Sequence, residues 1–259
     1  MRPRGLLLPA AATILLVFLG SGEAMALCAD PGIGAGASYV PAQPPGRTIA
    51  LTFDAAWSAD GADEILDALA AEGVRATFFV AGRFVRSHPE IARRIASEGH
   101  EAGNHTYHHD LLTRPGLTQD FFRSEMEETR AAYEEATGIP LAPIWRAPYG
   151  AASKEILAWG REAGYAHVRW SEGFDALDWV SDLSSSLYHP PIVTVARILR
   201  RLDRRSPDEG PAILLLHLGS LRPPAERFAA ALPDLIDGVR RLGYRFVTAS
   251  EAMKEGRFR

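Results

Sequence analysis

Short apolar runs along the chain alternate with segments whose apolar residues recur every three or four positions. Residues 48–53 form an apolar run of the length of a strand. Residues 62–72 carry apolar positions at helical spacing, and Gly73, a residue type that ends helices, follows them. Residues 76–80 return to the strand pattern. The pattern therefore predicts a strand, a helix and a second strand in succession.

The alternation continues along the chain. One predicted helix begins at Pro89 and ends at Gly99, and a longer one runs from about Thr118 to Gly138. Further helices are predicted over 152–163, 192–204 and 225–242, and strands over 166–170, 212–217 and 244–248. Alternating strands and helices favour a mostly parallel α/β sheet. Seven or eight such units predict a barrel rather than an open sheet, because a (β/α) barrel takes about 250 residues.

The first 46 residues differ from the rest. Arg2 and Arg4 precede an apolar run over 6–19, and small residues end the segment at Ala26. This order is typical of a signal peptide over 1–26, and the apolar run is shorter than the ~20 residues that span a bilayer. Residues 27–46 are rich in proline and glycine and read as a linker before a domain over 47–255. We expect a secreted or periplasmic protein, with membrane contact only if the signal segment stays uncleaved.

Composition narrows the class of protein. The chain has 259 residues, 47% hydrophobic, with 28 basic and 32 acidic side chains and a net charge of −4. That apolar share supports a folded core, and the acidic balance argues against nucleic acid as a partner. A single cysteine, Cys28, forms no internal disulfide or cysteine-rich metal site. The basic run over 200–205 and the acidic stretch over 125–135 read as solvated helix surfaces.

Candidate chemistry gathers where predicted strands end. Asp54 directly follows the strand over 48–53 and could act as a general base, a metal ligand or a helix cap. His105 and His109 are four residues apart, so on a helical turn both imidazoles would face the same way. Two imidazoles suit a divalent metal, zinc above all, although a chance surface pair has the same spacing.

Three more segments place polar residues near strand ends. Arg146 and Tyr149 follow an apolar pair, and arginine can hold a carboxylate by two parallel hydrogen bonds. Asp178 and Trp179 could orient a histidine and line a sugar subsite, or simply form a turn packed on the core. His217 ends a wholly apolar strand, a setting that suits a general acid as well as a satisfied core histidine.

Taken in order, these segments resemble the motifs of the polysaccharide deacetylase family, also called the NodB homology domain or carbohydrate esterase family 4. The matching segments are Thr52-Phe53-Asp54, His105-Thr106-x-x-His109, Arg146-Ala147-Pro148-Tyr149, Asp175-x-x-Asp178-Trp179 and Leu215-Leu216-His217. The resemblance covers about residues 47–250. It implies an irregular (β/α) barrel of seven or eight parallel strands. The implied activity is metal-dependent hydrolysis of the N-acetyl amide of N-acetylglucosamine-type units in a chitin-like polymer or peptidoglycan.

The resemblance also implies roles for individual residues. Asp54 would be the general base, His217 the general acid, Arg146 the residue that holds Asp54, and Asp178 the residue that orients His217. His105 and His109 would bind the divalent metal. The backbone N–H of Tyr149 would stabilise the oxyanion, while Trp179 and Leu215 would line the acetyl pocket.

One position departs from the family pattern. Typical members have a second aspartate directly after the first, as a metal ligand, and this chain has Ala55 there. Alanine offers no donor atom, and two imidazoles are fewer than the three protein ligands usual for catalytic zinc. Metal could bind more weakly, Asp60 or Asp63 could replace the lost ligand, or the site could be metal-free.

Three functions remain open at this point. The first is an exported deacetylase of an N-acetylated polysaccharide, and the second is a catalytically impaired carbohydrate-binding pseudoenzyme of the cell envelope. The third is a metal-dependent amidase acting on a small substrate.

Overall fold

The structure is a computed structural model and describes residues 47–255. The predicted signal peptide over 1–26 and the linker over 27–46 lie outside the described residues. No helix in the described part is both long enough and apolar enough to cross a membrane.

Within the described residues, seven strands form one parallel sheet. The strands are β1 (Thr48–Ala55), β2 (Thr77–Val80), β3 (Glu101–Asn104), β4 (Ile144–Trp145), β5 (Ala166–His167), β6 (Ala212–His217) and β7 (Arg245–Phe246). Their order is β5-β4-β3-β2-β1-β6, with β7 also pairing with β1. The predicted α/β class and parallel sheet are confirmed.

Eight α-helices of the described region connect the strands. They are α1 (Ala62–Ala71), α2 (Gly82–Ser87), α3 (Pro89–Ser97), α4 (Gln119–Thr137), α5 (Lys154–Glu162), α6 (Pro191–Asp203), α7 (Leu232–Arg241) and α8 (Ala249–Glu255). The long helix α4 begins where the Thr118 side chain accepts the N–H of Phe121, and it ends at Gly138 in the left-handed conformation. Side-chain caps of this kind are common at the starts of helices, and left-handed glycines are common at their ends.

One connecting segment closes the sheet. The N–H of Val168 donates to the carbonyl of Trp145 in β4 at 2.8 Å, and further along the N–H of Ser171 donates to Ile213 in β6 at 2.9 Å. The N–H of Ala176 then donates to the carbonyl of Leu215 at 3.0 Å. The stretch that continues from the edge strand β5 thus bonds to β4 on one side and to the other edge strand, β6, which makes the sheet a distorted barrel.

Strand alternation divides the core into two layers. In β1, Ile49, Leu51 and Phe53 pack into the large cluster under the helices, whereas Ala50 packs into a smaller separate cluster with Phe79, Ile144 and Ile213. Successive side chains of a strand point to opposite faces. Asp54 therefore shares its face with Ala50, and Ala55 packs with the odd-numbered residues under the helices.

Several predicted boundaries were wrong. The predicted strand over 166–170 is only Ala166–His167, and the one over 244–248 is only Arg245–Phe246. The predicted helix over 225–242 divides into two 3-10 turns and α7, because Pro233 fits only the first turn of an α-helix. The patterns also missed α2, β3, β4 and α8, which are too short to show a clear period.

Candidate active site

The ends of β1 and β6 bring the predicted base and acid together. Asp54 lies opposite His217 in the register of these two parallel strands. The N–H of Leu218 donates to the backbone carbonyl of Asp54 at 3.0 Å, which extends the pairing past both side chains. Two groups 163 positions apart in the sequence thus meet at the carboxyl edge of the sheet, where barrel enzymes carry their active sites.

Arg146 holds Asp54 from below. Its Nη1 lies 2.8 Å from Oδ1 of Asp54, and the guanidinium is fully buried over the ring of Phe79 at 4.2 Å. Burial acts to raise the pKa of Asp54, but Arg146 and the nearby imidazoles outweigh it and leave that pKa below its ordinary value. Asp54 is therefore an anion at neutral pH, although only 7% of its surface is exposed.

His105 is oriented by the backbone of the same arginine. Its Nδ1 lies 2.8 Å from the carbonyl oxygen of Arg146, so Nδ1 carries the proton and donates it to that oxygen. Nε2 is then a bare lone pair. It lies 3.5 Å from Oδ2 of Asp54 and has no hydrogen-bond partner. A buried imidazole with one nitrogen fixed by a carbonyl and the other unused matches a metal-ligating histidine.

His109 lies beside His105, with ring centroids 4.8 Å apart. Its Nδ1 is buried and also has no hydrogen-bond partner. Burial and the neighbouring His105 lower the pKa of His109 to about 3, and burial lowers that of His105 as well. Both rings are therefore neutral, the form that can donate a lone pair to a metal.

The predicted helical turn between the two histidines was wrong. Residues 105–109 form a loop in which Thr106 and His109 have left-handed φ angles of 63° and 57°. The rings meet because the loop is held from outside. The first N–H groups of α2, from Gly82 and Arg83, donate to the carbonyls of Thr106 and Tyr107 at 3.0 and 3.1 Å.

Glu125 of α4 is the main anchor of this loop. It is 2% exposed, accepts the N–H groups of Tyr107 and His108 at 2.9 and 2.8 Å, and contacts Nδ1 of His108 at 2.5 Å. The interpretation of 125–135 as a solvated face was therefore wrong at Glu125. Glu125 shares one helix face with Phe122, Met126 and Thr129, which are all buried. This spacing was the sequence signal that Glu125 is buried as well.

Asp178 contacts His217 twice. Its Oδ1 lies 2.8 Å from Nδ1 of His217, and its Oδ2 accepts the backbone N–H of His217 at 2.9 Å. Burial acts to lower the pKa of His217, but Asp178, Asp54 and Asp175 outweigh it and raise that pKa. The imidazole thus holds its proton on Nδ1 toward Asp178 and can carry a second on Nε2.

Arg222 secures the loop that carries Asp178. The guanidinium is buried and donates to the carbonyls of Leu177 at 2.8 Å, Val180 at 2.8 Å and His189 at 2.9 Å. Leu177 needs this support because its φ is 58°, in the left-handed region that a branched residue disfavours. Nothing in the sequence pattern indicated this role, since all three contacts depend on the fold.

Three aromatic side chains are exposed around the carboxyl edge of the barrel. Tyr149 is 65% exposed with its ring centroid 4.7 Å from that of His109, and Trp179 is 51% exposed. Trp57, which the sequence analysis did not select, is 56% exposed, and its ring centroid lies 5.9 Å from that of His109. Leu215 is buried one layer below His217 on the same strand face.

The donor set fits a divalent metal only in part. His105 and His109 offer two neutral imidazoles with unpartnered buried nitrogens. Position 55 contributes a fully buried methyl group, which offers no donor atom. Asp60 and Asp63, the other candidate ligands, pair with Arg227 and Arg94. Among residues 47–255, no three or more histidine, cysteine, aspartate and glutamate side chains gather in a metal-holding group.

Comparisons with known proteins identify the family of the chain. The polysaccharide deacetylase family matches residues 42–168. The chain is 32% identical over 216 residues to the peptidoglycan-N-acetylmuramic acid deacetylase PdaA of Bacillus subtilis, covering 82% of this chain and 74% of that protein. The protein therefore belongs to the polysaccharide deacetylase family, carbohydrate esterase family 4.

Two further likenesses bear on substrate and activity. A Bacillus cereus peptidoglycan-N-acetylglucosamine deacetylase is 30% identical over 213 residues, covering 80% of this chain and 89% of that protein. The structure is also similar to that of a Bacillus anthracis pseudoenzyme of the same family. The TM-score is 0.67 at 26% identity, over 83% of this chain and 68% of that one. A mutant of that pseudoenzyme with restored enzymatic activity gives the same TM-score of 0.67.

Proposed function

We propose that this protein hydrolyses the N-acetyl amide of N-acetylglucosamine-type units in a polysaccharide such as peptidoglycan or a chitin-like polymer. The products are acetate and a free amino sugar. The observation that carries the proposal is the pairing of an ionised Asp54 with a protonatable His217 at the open edge of the barrel. Amide hydrolysis needs both a base for the water and an acid for the leaving nitrogen.

Asp54 takes the proton of the attacking water. Its carboxylate is kept ionised by Arg146, which leaves Oδ2 to face the reacting centre. The water oxygen bonds to the acetyl carbonyl carbon, and the carbonyl oxygen becomes negatively charged. The backbone N–H of Tyr149 donates to that oxygen, because a fixed donor stabilises charge that develops in the transition state.

His217 completes the reaction. Asp178 fixes the ring through Nδ1, so the proton on Nε2 is the one available for transfer. As the C–N bond breaks, this proton passes to the amine nitrogen and the acetyl group leaves as acetate. The raised pKa of His217 keeps this proton to a higher pH than a free histidine would.

His105 and His109 are the residues that would hold a divalent metal, zinc first. Such an ion lowers the pKa of water and polarises a carbonyl. Because Ala55 offers no donor atom, the two imidazoles give a weaker site than a three-ligand set would.

The exposed rings of Trp179 and Tyr149 supply surfaces for the sugar, and Leu215 bounds the acetyl pocket from below. Aromatic rings suit this role because they bury large area with little loss of side-chain freedom.

We also propose that residues 1–26 export the chain to the envelope. N-terminal sequencing of the protein from a cell-envelope or culture fraction would find Leu27 first, whereas a chain that begins at Met1 there would contradict cleavage.

Acetate release tests the proposed activity. The purified protein, with added zinc, is incubated with acetylated chitooligosaccharides and with peptidoglycan, beside a known deacetylase as positive control. We expect acetate from at least one substrate and none from an Asp54→Asn variant. No release from either substrate, with a working control, would contradict the proposal.

A carbohydrate-binding pseudoenzyme is the second candidate. Ala55 favours it, because the lost carboxylate is the anionic part of the family's metal site. The similarity to the Bacillus anthracis pseudoenzyme favours it as well. Saturable binding of chitooligosaccharide without acetate release, in protein supplied with zinc, is the result that this function predicts.

A further inference from the structure

Five arginines line a groove on the outer helical layer, at the C-terminal half of α6 and the turn after it. The groove has a volume of about 420 Å³. These residues, which we call the arginine groove, are Arg197, Arg200, Arg201, Arg204 and Arg205. They are separate from the residues assigned to the deacetylase site.

The residues that line the groove carry an excess of positive charge. Glu209 is the one acidic residue in its lining, and its carboxylate contacts Arg205 at 3.1 Å. Five guanidinium groups against one carboxylate leave a formal charge of +4 in the lining. A single carboxylate ligand would neutralise one quarter of that charge, so the groove favours an anion that carries several charges.

Two of the arginines share one aromatic ring. Arg201 and Arg205 both lie over the ring of Phe174, at 5.5 and 5.6 Å from its centroid. Gly173 makes room for Arg201, because a Cβ there would lie 2.5 Å from its Nε. Two guanidinium groups that share one aromatic ring present their N–H donors on the same side of the groove, where an anion can accept from both.

The helix dipole accounts for only part of the cluster. Arg200 and Arg201 lie in the last turn of α6, where cations are favoured. Arg197 lies earlier, and its Nη2 donates to the carbonyls of Asp175 and Ala176 at 2.8 and 3.0 Å. Its Nε is buried without a hydrogen-bond partner. An acceptor in the groove would satisfy that donor.

We propose that the arginine groove binds phosphate groups of a multiply charged ligand. A phosphate group carries about one negative charge in a diester or a chain interior and nearly two at a chain end, and its free oxygens match the fork of several guanidinium groups. The volume exceeds that of one phosphate and accommodates two or more. The phosphates could belong to a soluble phosphate polymer or to lipid headgroups, and the two sources are separated by the choice of probe.

Calorimetric titration of the full chain with inorganic tripolyphosphate tests the site. The variant Arg200→Glu/Arg204→Glu brings the formal charge of the lining from +4 to zero, and both side chains are exposed. We expect saturable binding to the unaltered protein and at least a tenfold weaker affinity in this variant. Binding should weaken as salt rises, because ions screen exposed charges.

The matched control reverses two arginines elsewhere. Arg123→Glu/Arg241→Glu makes the same change of charge at exposed positions of α4 and α7. We expect less than a twofold change in its affinity for tripolyphosphate. Equal weakening in both variants would overturn the groove as a site and show attraction by overall charge alone. If the glutamate variant fails to fold by circular dichroism, Arg200→Gln/Arg204→Gln replaces it.

Sedimentation with vesicles distinguishes the two sources of phosphate. Co-sedimentation with phosphatidylglycerol vesicles but not with phosphatidylcholine vesicles, lost in the groove variant, supports a lipid headgroup. Tripolyphosphate binding without co-sedimentation supports a soluble phosphate polymer. Binding of neither probe at low salt would overturn the proposal. Acetate release is a separate measurement, so neither result of the binding test bears on the proposed deacetylase activity.

Discussion

The candidate active site has two halves that differ in completeness. The acid–base half comprises Asp54, Arg146, Asp178 and His217, and each member contacts its partner at 2.8 Å. The metal half comprises His105, His109 and position 55, where two imidazole nitrogens lack partners and the third position is a methyl group. One half is fully connected, and the other offers two unpartnered imidazole nitrogens and a methyl group without a donor atom.

The difference reflects what each residue does for the fold. Removing Asp54 would leave the charge of Arg146 buried without a partner, which costs about 3–5 kcal/mol. Ala55 instead packs in the apolar cluster under the helices, where a methyl group fits without an ionic partner. The acid–base half is therefore supported by the fold itself, while Ala55 needs no ionic partner to remain buried.

The substitution Asp54→Asn should have the largest effect on the acid–base half. In Asp54→Asn the amide cannot take a proton from water, and we expect acetate release to fall by about 10²- to 10⁴-fold. Asp63→Asn, at an exposed position of α1, is the matched control and should keep full activity. An Asp54→Asn variant with unchanged activity would remove Asp54 from the role of base.

The loop of the metal half depends on Glu125. In Glu125→Ala, two backbone N–H groups and the ring of His108 lose their buried acceptor. We expect the free energy of unfolding, measured with urea, to fall by about 2–3 kcal/mol. Glu128→Ala, one turn away on the exposed face, should cost less than about 0.5 kcal/mol. Equal losses would show that Glu125 does not anchor the loop.

Ala55→Asp sharpens the comparison by restoring a donor to the metal half. Without metal, the new carboxylate lies where a buried methyl group packed, and we expect a loss of about 1–3 kcal/mol in stability. Added zinc should recover that loss, so the melting temperature rises more with zinc in the variant than in the parent. Ala55→Asn is the matched control, because it adds similar volume without the charge. Equal zinc effects in the three proteins would contradict the missing-ligand account.

Asp178 sets the pH range of the acid. The raised pKa of His217 keeps its proton to a higher pH than a free histidine would. Asp178→Asn removes the negative charge, so the alkaline limb of acetate release should move to lower pH. At pH values above that limb, the rate of the variant should be about tenfold below that of the parent for each unit by which the pKa of His217 falls.

The same pairing links stability to pH. The charged form of His217 contributes stability that is complete below its unfolded pKa of about 6.5 and is lost as pH rises through the higher folded pKa. Urea titrations at pH 6 and pH 9 should therefore show a smaller difference between the parent and Asp178→Asn at pH 9. A constant difference would contradict the pairing.

The smallest effects concern the aromatic rings that flank both halves. Trp57→Ala and Trp179→Ala each remove an exposed ring, and we expect KM for chitooligosaccharide to rise about threefold to tenfold with kcat nearly unchanged. Leu183→Ala, also exposed, is the control and should leave KM unchanged. A loss confined to kcat would place these rings outside the sugar-binding surface.

The sequence predicted the long elements and missed those that depend on partners. Runs such as Ile213 to Leu216 and the repeat in 62–72 carry their own period, so β6 and α1 could be predicted. β4 and β5 have two residues each and exist only because neighbouring strands complete them. The pairing of Asp54 with His217 could be expected from parallel strands, since such strands end at one edge.

Other parts of the site could not be predicted. Trp57 and Arg222 act through contacts with residues far away in the sequence, and the helix face that marks Glu125 as buried does not show which loop it holds. The loop over 105–109 brings its rings together without a helix, because α2 and Glu125 hold backbone in left-handed conformations. The four-residue spacing indicated that His105 and His109 act together, but it did not indicate the loop conformation that brings their rings together.

The metal content of the unaltered protein tests the difference between the two halves most directly. The protein is purified without chelator, dialysed against zinc-free buffer and measured by elemental analysis beside Ala55→Asp. We predict well under one zinc per chain in the unaltered protein and close to one in the variant. A full equivalent of tightly held zinc in the unaltered protein would contradict the account that its metal half lacks a ligand.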